Sequence, residues 1–161
     1  MNPYLKNESE EEQFDNTVAV ALKLFKYETK SYKIAEKKLV HLGAISVRPL
    51  TYTIECALWD NMDDDDIDGR AEEASDIILK IGNDALPDLH FLATNPGVNL
   101  YVNDWAQDMI FKVTGAQGEE KQKLCHHFTF LDYSEEDKNI LICPACDSWI
   151  PAEKNTQTGD E

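Results

Sequence analysis

No apolar run in this 161-residue chain approaches the ~20 residues that a membrane-spanning helix requires, so no membrane partner is expected. The opening "MNPYLKNESEEEQF" has no basic segment leading into an apolar one; a secretory leader is not expected, and a cytoplasmic location is. Catalytic signatures are missing too: no G-x-S-x-G, G-x-x-x-x-G-K-[ST], H-E-x-x-H or G-x-G-x-x-G occurs. The residues assemble no enzyme, and no catalytic residue is assigned. Basic side chains are scarce where acidic ones are dense. Residues 1–56 carry eight Lys/Arg against eight Asp/Glu, so the whole net charge of -16 falls in residues 57–161, with seven basic and 23 acidic side chains. Such a surface repels nucleic-acid phosphates and attracts basic proteins and divalent cations.

What is present is enough apolar material for a core: 42% hydrophobic residues, with three Trp, six Tyr and six Phe. Residues 1–9 and 153–161 read as flexible tails, 10–122 as a helical body and 123–152 as a small β-hairpin unit. In the body, three stretches resemble one another when aligned on glycine: "KKLVHLGAISVRPLTYTIECAL", "ILKIGNDALPDLHFLAT" and "MIFKVTGAQGEEKQKL". Gly43, Gly82 and Gly115 stand where a helix needs a left-handed residue to end it. Pro49 and Pro87 fall early in the helices that follow, where a missing N–H costs little, with Asn83 as a candidate N-cap. In "NLYVNDWAQDMIFKVT", Val102, Trp105, Ala106, Met109, Ile110 and Val113 form one helical stripe, with Asn103, Asp104, Gln107 and Asp108 opposite.

The pattern of helix, "hLG" or "hIG", "DALPDLHFLATNP" and another amphipathic helix resembles HEAT repeats of the bacterial type, over roughly residues 31–115, with a capping helix from Glu10 to Tyr27. That resemblance implies a mainly α fold, an α-solenoid whose second helices line a concave surface and whose job is to bind another macromolecule. If His41, Lys80 and Lys112 are equivalent positions, then Lys37, Asp76 and Asp108 are too, and likewise Lys33, Glu72 and Asp104. One edge of the inner face is then basic and the rest acidic, with Glu72 over Asp104 and Asp76 over Asp108. Among HEAT-like proteins, DNA glycosylases need a basic concave surface, which this charge contradicts.

"WDNMDDDDIDGRAEEASD" packs Asp60, Asp63, Asp64, Asp65, Asp66 and Asp68 into nine residues. From Asp64 it reads D-x-D-x-D-G, the first half of an EF-hand calcium loop, but the twelfth position, where a bidentate Glu belongs, is Ser75. Calcium is therefore not expected. The run reads as an acidic loop able to dock a basic partner, with Asp68 as N-cap of a helix beginning near Gly69.

The remaining chemistry sits in "LCHHFTFLDYSEEDKNILICPACDSW". Two β-rich runs flank a polar turn, as in a hairpin with Tyr133 facing Ile140 and Phe130 opposite Cys143. Cys125 and His127, two apart, leave an extended strand by the same face, and "CPAC" supplies two more thiols. Cys125, His127, Cys143 and Cys146 form a Cys3His set that suits structural zinc, with His126 as the alternative to His127. The proline after Cys143 resembles the knuckle of zinc-ribbon proteins, although that family uses a second C-x-x-C. A redox dithiol and an unliganded hairpin with buried thiols are the competing readings, and Glu135, Glu136 and Asp137 fall at the far end of the hairpin.

The expected function is non-catalytic binding of a basic protein partner through Asp63, Asp64, Asp65, Asp66, Asp68, Glu72, Asp76, Asp104 and Asp108, as an acidic immunity protein blocks a nuclease toxin, or as an adaptor does. The alternative is an enzyme of HEAT-like fold, a lyase or a metal-dependent hydrolase using Asp104 and Asp108.

Overall fold

The computed structural model of the chain describes residues 1–25, 29–127, 132–133 and 140–151. Among them the chain is mainly helical: α1 (Glu11–Leu22), α2 (Thr29–Leu42), α3 (Val47–Trp59), α4 (Asp64–Ile81), α5 (Leu86–Ala93), α6 (Leu100–Thr114) and α7 (Glu119–Leu124). Short 3-10 turns, Gly43–Ser46 and Gly82–Ala85, join α2 to α3 and α4 to α5. The three aligned glycines do end α2, α4 and α6, each at positive φ: +63°, +75° and +67°. At Gly82 the accompanying ψ of -142° lies in a region that is essentially glycine's own. A Cβ there would meet nothing within 4 Å, so the penalty of a side chain is purely conformational. Gly82→Ala is expected to cost about 2 kcal/mol in urea unfolding, whereas Gly69→Ala, inside α4 and equally free of neighbours, should stabilise by about 0.5–1 kcal/mol.

The helices pack in two layers. In one, α2, α4 and α6 run parallel: Tyr32 bonds Glu73 and Lys80 pairs with Glu36 across α2 and α4, while Tyr101 donates to Asp68 (3.1 Å) and Trp105 Nε1 to Ser75 Oγ (3.2 Å) across α4 and α6. The other layer holds α1, α3 and α5, with Arg48 of α3 on Asp88 of α5 at 3.0 Å. Leu39, Leu50, Ile54, Ile77, Ile78, Leu89, Leu92, Met109 and Ile110 fill the space between, all fully buried. This burial of apolar side chains, each worth about 1.5–3 kcal/mol, is what holds the layers together.

Several sequence expectations are corrected. Within residues 1–9, expected as a flexible tail, Tyr4 and Leu5 are buried while Met1 and residues 6–9 are exposed: Tyr4 lies against Phe14 and Tyr52, its carbonyl accepts from Arg48 Nη1 at 2.7 Å, and Lys6 pairs with Asp88 at 2.8 Å. Of the charges in this segment, Lys6 reaches the nearly buried Asp88 from an exposed position, and Glu8 stays exposed. The helix after the aspartate run starts at Asp64, not near Gly69, and its N-cap is Asp63, whose carboxylate accepts from the Asp66 N–H at 2.9 Å. Asn83 lies inside a 3-10 turn, and the N-cap of α5 is Ala85, with Pro87 in the first turn as expected. Asn103 and Gln107 are buried rather than on a polar face; Asn103 Nδ2 donates to the carbonyls of Leu92 (2.7 Å) and Asn95 (3.0 Å), closing the α5–α6 turn.

At the C-terminal end β1 (Asp132–Tyr133), β2 (Ile140–Ile142) and β3 (Trp149–Pro151) form an antiparallel sheet in that order. The third strand makes this more than a hairpin. Tyr133 pairs with Leu141, one residue away from the expected register with Ile140. Phe130, Glu135, Glu136, Asp137, Tyr27 and the tail 153–161 lie outside the described residues.

Candidate metal centre

α7 ends at Leu124 and Cys125 turns extended, so the chain leaves the helix pointing its thiol into a small second core with Phe111, Ala116, Cys143 and Cys146. His127 then takes a left-handed backbone, φ +51°, which folds its ring back toward Cys125, and its N–H donates to Cys125 Sγ at 3.4 Å. From the other side, β2 runs into Cys143. The next residues close a tight turn: the Asp147 N–H donates to the Cys143 carbonyl at 2.7 Å and the Cys143 N–H to the Ser148 carbonyl at 3.0 Å. Asp147 also adopts positive φ, +58°, and the turn brings Cys146 alongside Cys143.

The four ligand atoms converge into one cluster. Cys125 Sγ lies 3.7 Å from Cys143 Sγ, Cys146 Sγ lies 3.4 Å from His127 Nδ1, and all four ligand atoms fall within 4.8 Å of one another. A tetrahedral metal with M–S of about 2.3 Å and M–N of about 2.0–2.1 Å requires S···S of about 3.8 Å and S···N of about 3.5 Å. A disulfide would need sulfurs about 2.05 Å apart. The cluster can therefore hold a metal ion, and its spacing is not that of a bonded cystine.

Without a metal, burial keeps the Cys125 thiol from ionising freely, so a metal must displace its proton to bind. Burial pushes the Cys125 thiol up to about 12, because a thiolate among apolar groups lacks solvation. Cys146 is also desolvated, which raises its thiol, but hydrogen bonding with Ser148, through its hydroxyl and backbone, and with the neighbouring cysteines outweighs this and holds it below the ordinary value. Three adjacent buried thiolates repel one another unless a divalent ion replaces their protons.

His126 is not in this set. Its Nε2 lies 2.7 Å from His90 Nδ1, the rings meeting edge to face, and burial followed by the two neighbouring imidazoles holds its pKa below the usual histidine value. Its backbone N–H instead donates to Gln107 Oε1 at 3.0 Å, which ties the ligand segment to α6. Sequence reasoning missed Gln107, since a glutamine among acidic residues on a helix gives no sign that its partner is a backbone amide nineteen residues away.

The acidic residues fall into two groups. Asp63, Asp64, Asp65, Asp66 and Asp68 are exposed around the start of α4, and the D-x-D-x-D-G stretch is helical. Side chains two apart on a helix point in divergent directions, so these carboxylates do not converge as an EF-hand loop requires. Glu72 and Asp76 on α4, and Asp104 and Asp108 on α6, are all exposed. They flank the Trp105–Ser75 contact, whose offset and that of Tyr101–Asp68 bracket the spacing from Glu72 to Asp104 and from Asp76 to Asp108. They belong to the helices that end on the glycines, not to the second helices of the hairpins. Asp108 pairs with Lys112 at 2.8 Å, and burial alone raises the carboxyl of Asp104 above the ordinary aspartate value. Between these two residues and the Cys143–Cys146 turn lies a cavity of about 280 Å³, walled also by Phe111, Pro144 and Ala145.

Comparison with protein-family models, with curated proteins and with solved structures finds no match.

Proposed function

We propose that the chain is a HEAT-like helical-repeat binding module whose C-terminal sheet is stapled by structural zinc, and that its acidic α4–α6 face binds a basic protein, in the manner of an immunity protein on a nuclease toxin. The two helix–turn–helix units with their glycine joints support the repeat reading: first helices lie parallel beside first helices, and Arg48–Asp88 links second to second. Zinc is supported by three thiols and one imidazole nitrogen at tetrahedral spacing, a soft donor set. Four protein ligands complete the shell and leave no open position for substrate, which argues for a staple over a catalytic ion.

The observation that carries the binding role is the uncompensated acidity of the α4–α6 seam. Among the described residues the ion pairs in this region are Lys112–Asp108 and Lys80–Glu36, so Glu72, Asp76 and Asp104 stand exposed without a salt-bridge partner. Like charges along one seam cost a few tenths of a kcal/mol each in isolation, and a basic partner turns that cost into attraction and a fast, steered encounter.

The test is affinity capture from the source cells with the native chain and with the Asp104→Lys/Asp108→Lys variant, followed by mass spectrometry. A basic polypeptide retained by the native chain, released by moderate salt and lost in the charge-reversed variant is the expected result. Equal retention by both chains, or retention of acidic proteins only, removes the acidic seam from the function.

A further inference from the structure

The cavity beside the metal centre joins two features that the sequence keeps apart. Its floor is α6, which supplies Asp104, Asp108 and the ring of Phe111; its opposite wall is Pro144 and Ala145, the two residues between the ligands Cys143 and Cys146. The two carboxylates are not equivalent. Asp108 is engaged by Lys112, whereas Asp104 has no hydrogen bond or ion pair among the described residues, although it is partly withdrawn from water. An exposed carboxylate with no ion-pair partner, beside Pro144, Ala145 and a nearly buried Phe111 whose ring already carries Lys121 at 5.3 Å, complements a further cation carried on an apolar stem. Arginine fits better than lysine: its guanidinium is weakly hydrated, meets a carboxylate through two parallel N–H groups, and stacks on aromatic faces.

We infer that this cavity receives one arginine side chain of the basic partner, its guanidinium on Asp104 and its stem along Phe111 and Pro144, and that the cavity exists only while a metal holds the Cys143–Cys146 turn. The inference rests on the acidic seam being the partner surface, and adds the place, the residue type and the dependence on metal. A staple of this kind does more than cap the helical body. It builds half of the binding site.

The probe is a blocked peptide with a single central arginine, compared with the same peptide carrying uncharged citrulline, and the readout is amide NMR on the full-length, zinc-loaded chain. Saturable shifts at Asp104, Asp108, Phe111 and Ala145 are expected for the arginine peptide only. Asp104→Asn should weaken binding roughly tenfold or more. Ala145→Trp, which fills the cavity and leaves all four ligands in place, should do the same with one zinc per chain retained. Stripping zinc with EDTA should abolish the shifts at Asp104 and Phe111. Shifts confined to Asp63–Asp68 and Glu72, and unchanged in both variants, would overturn the cavity while leaving the acidic face as a partner surface. Unchanged binding after chelation would overturn the dependence on metal. The absence of any shift on the chain would sink both this inference and the reading on which it rests.

Discussion

Cys143→Ser is expected to abolish stoichiometric metal binding and to unfold the C-terminal sheet while the helical body stays folded. Cys143 is fully buried and sits at the junction of β2 with the turn that carries Cys146. The second core is made of Phe111, Ala116 and the three cysteines, so without a metal its apolar content is little more than one ring, a methyl and three thiols. A sheet of two- and three-residue strands is not stable on so little burial. Structural zinc, by contrast, contributes about 10–16 kcal/mol of apparent binding energy in small zinc domains, and that energy is coupled to folding. Among the described residues the helical core shares only the fringe residue Leu124 with this cluster, which is why the loss should stay local. Elemental analysis should find about one zinc in the native chain and none in the variant; hydrogen exchange at Leu141, Cys146 and Ile150 should become fast, with little change in helical ellipticity. Cys56→Ser, far from the cluster on α3, should keep its zinc. Retention of one zinc by Cys143→Ser, or unchanged protection of Ile150, would refute the staple.

The residues that made this centre legible in the sequence did so because metal ligation is a matter of residue type and short spacing. Cys125-x-His127 and Cys143-x-x-Cys146 survive an error in strand register, and there was one: a shift by a single residue exchanges the faces of a strand, yet each ligand lies outside the paired strand residues. The glycine joints were legible for a similar reason, since a positive φ at a helix end is a local demand that few residues besides glycine meet. Where several residues compete for one role, the sequence is silent. Five aspartates between Asp63 and Asp68 are all acceptable N-caps, and the choice of Asp63 depends on how many turns α4 needs to reach Phe25 and Tyr101, whose partners are Arg70 and Asp68. Asn103 and Gln107 were misplaced because hydropathy patterns treat a polar side chain as a solvent-facing one. Both are buried to satisfy backbone groups from other segments, which no periodicity records.

The N-terminal segment makes the same point with a larger energy, and Tyr4→Ala is expected to destabilise the chain by about 3–5 kcal/mol. Tyr4 has no exposed surface, its ring lies 5.2 Å from Tyr52 and 6.4 Å from Phe14, and truncation would leave a cavity between α1 and α3. Removing the side chain would also loosen what the neighbouring backbone holds. Pro3 accepts from Asn95 Nδ2 at 2.7 Å, Tyr4 accepts from Arg48 Nη1, and Lys6 shares Asp88 with Arg48. Asp88 is almost wholly buried, so slackening either cation raises the cost of its charge. Against a total stability of roughly 5–15 kcal/mol for an ordinary domain, such a loss is a large fraction of the whole. Glu8→Ala, at an exposed position four residues away, should change stability by no more than about 0.5 kcal/mol. Urea unfolding of the two variants separates the possibilities. A cost under about 1 kcal/mol at Tyr4 would mean that the segment is the loose tail its composition suggests. A cost in the expected range would make it part of the fold that positions α5, and through the Asn103 bonds to the α5 end, the acidic face of α6.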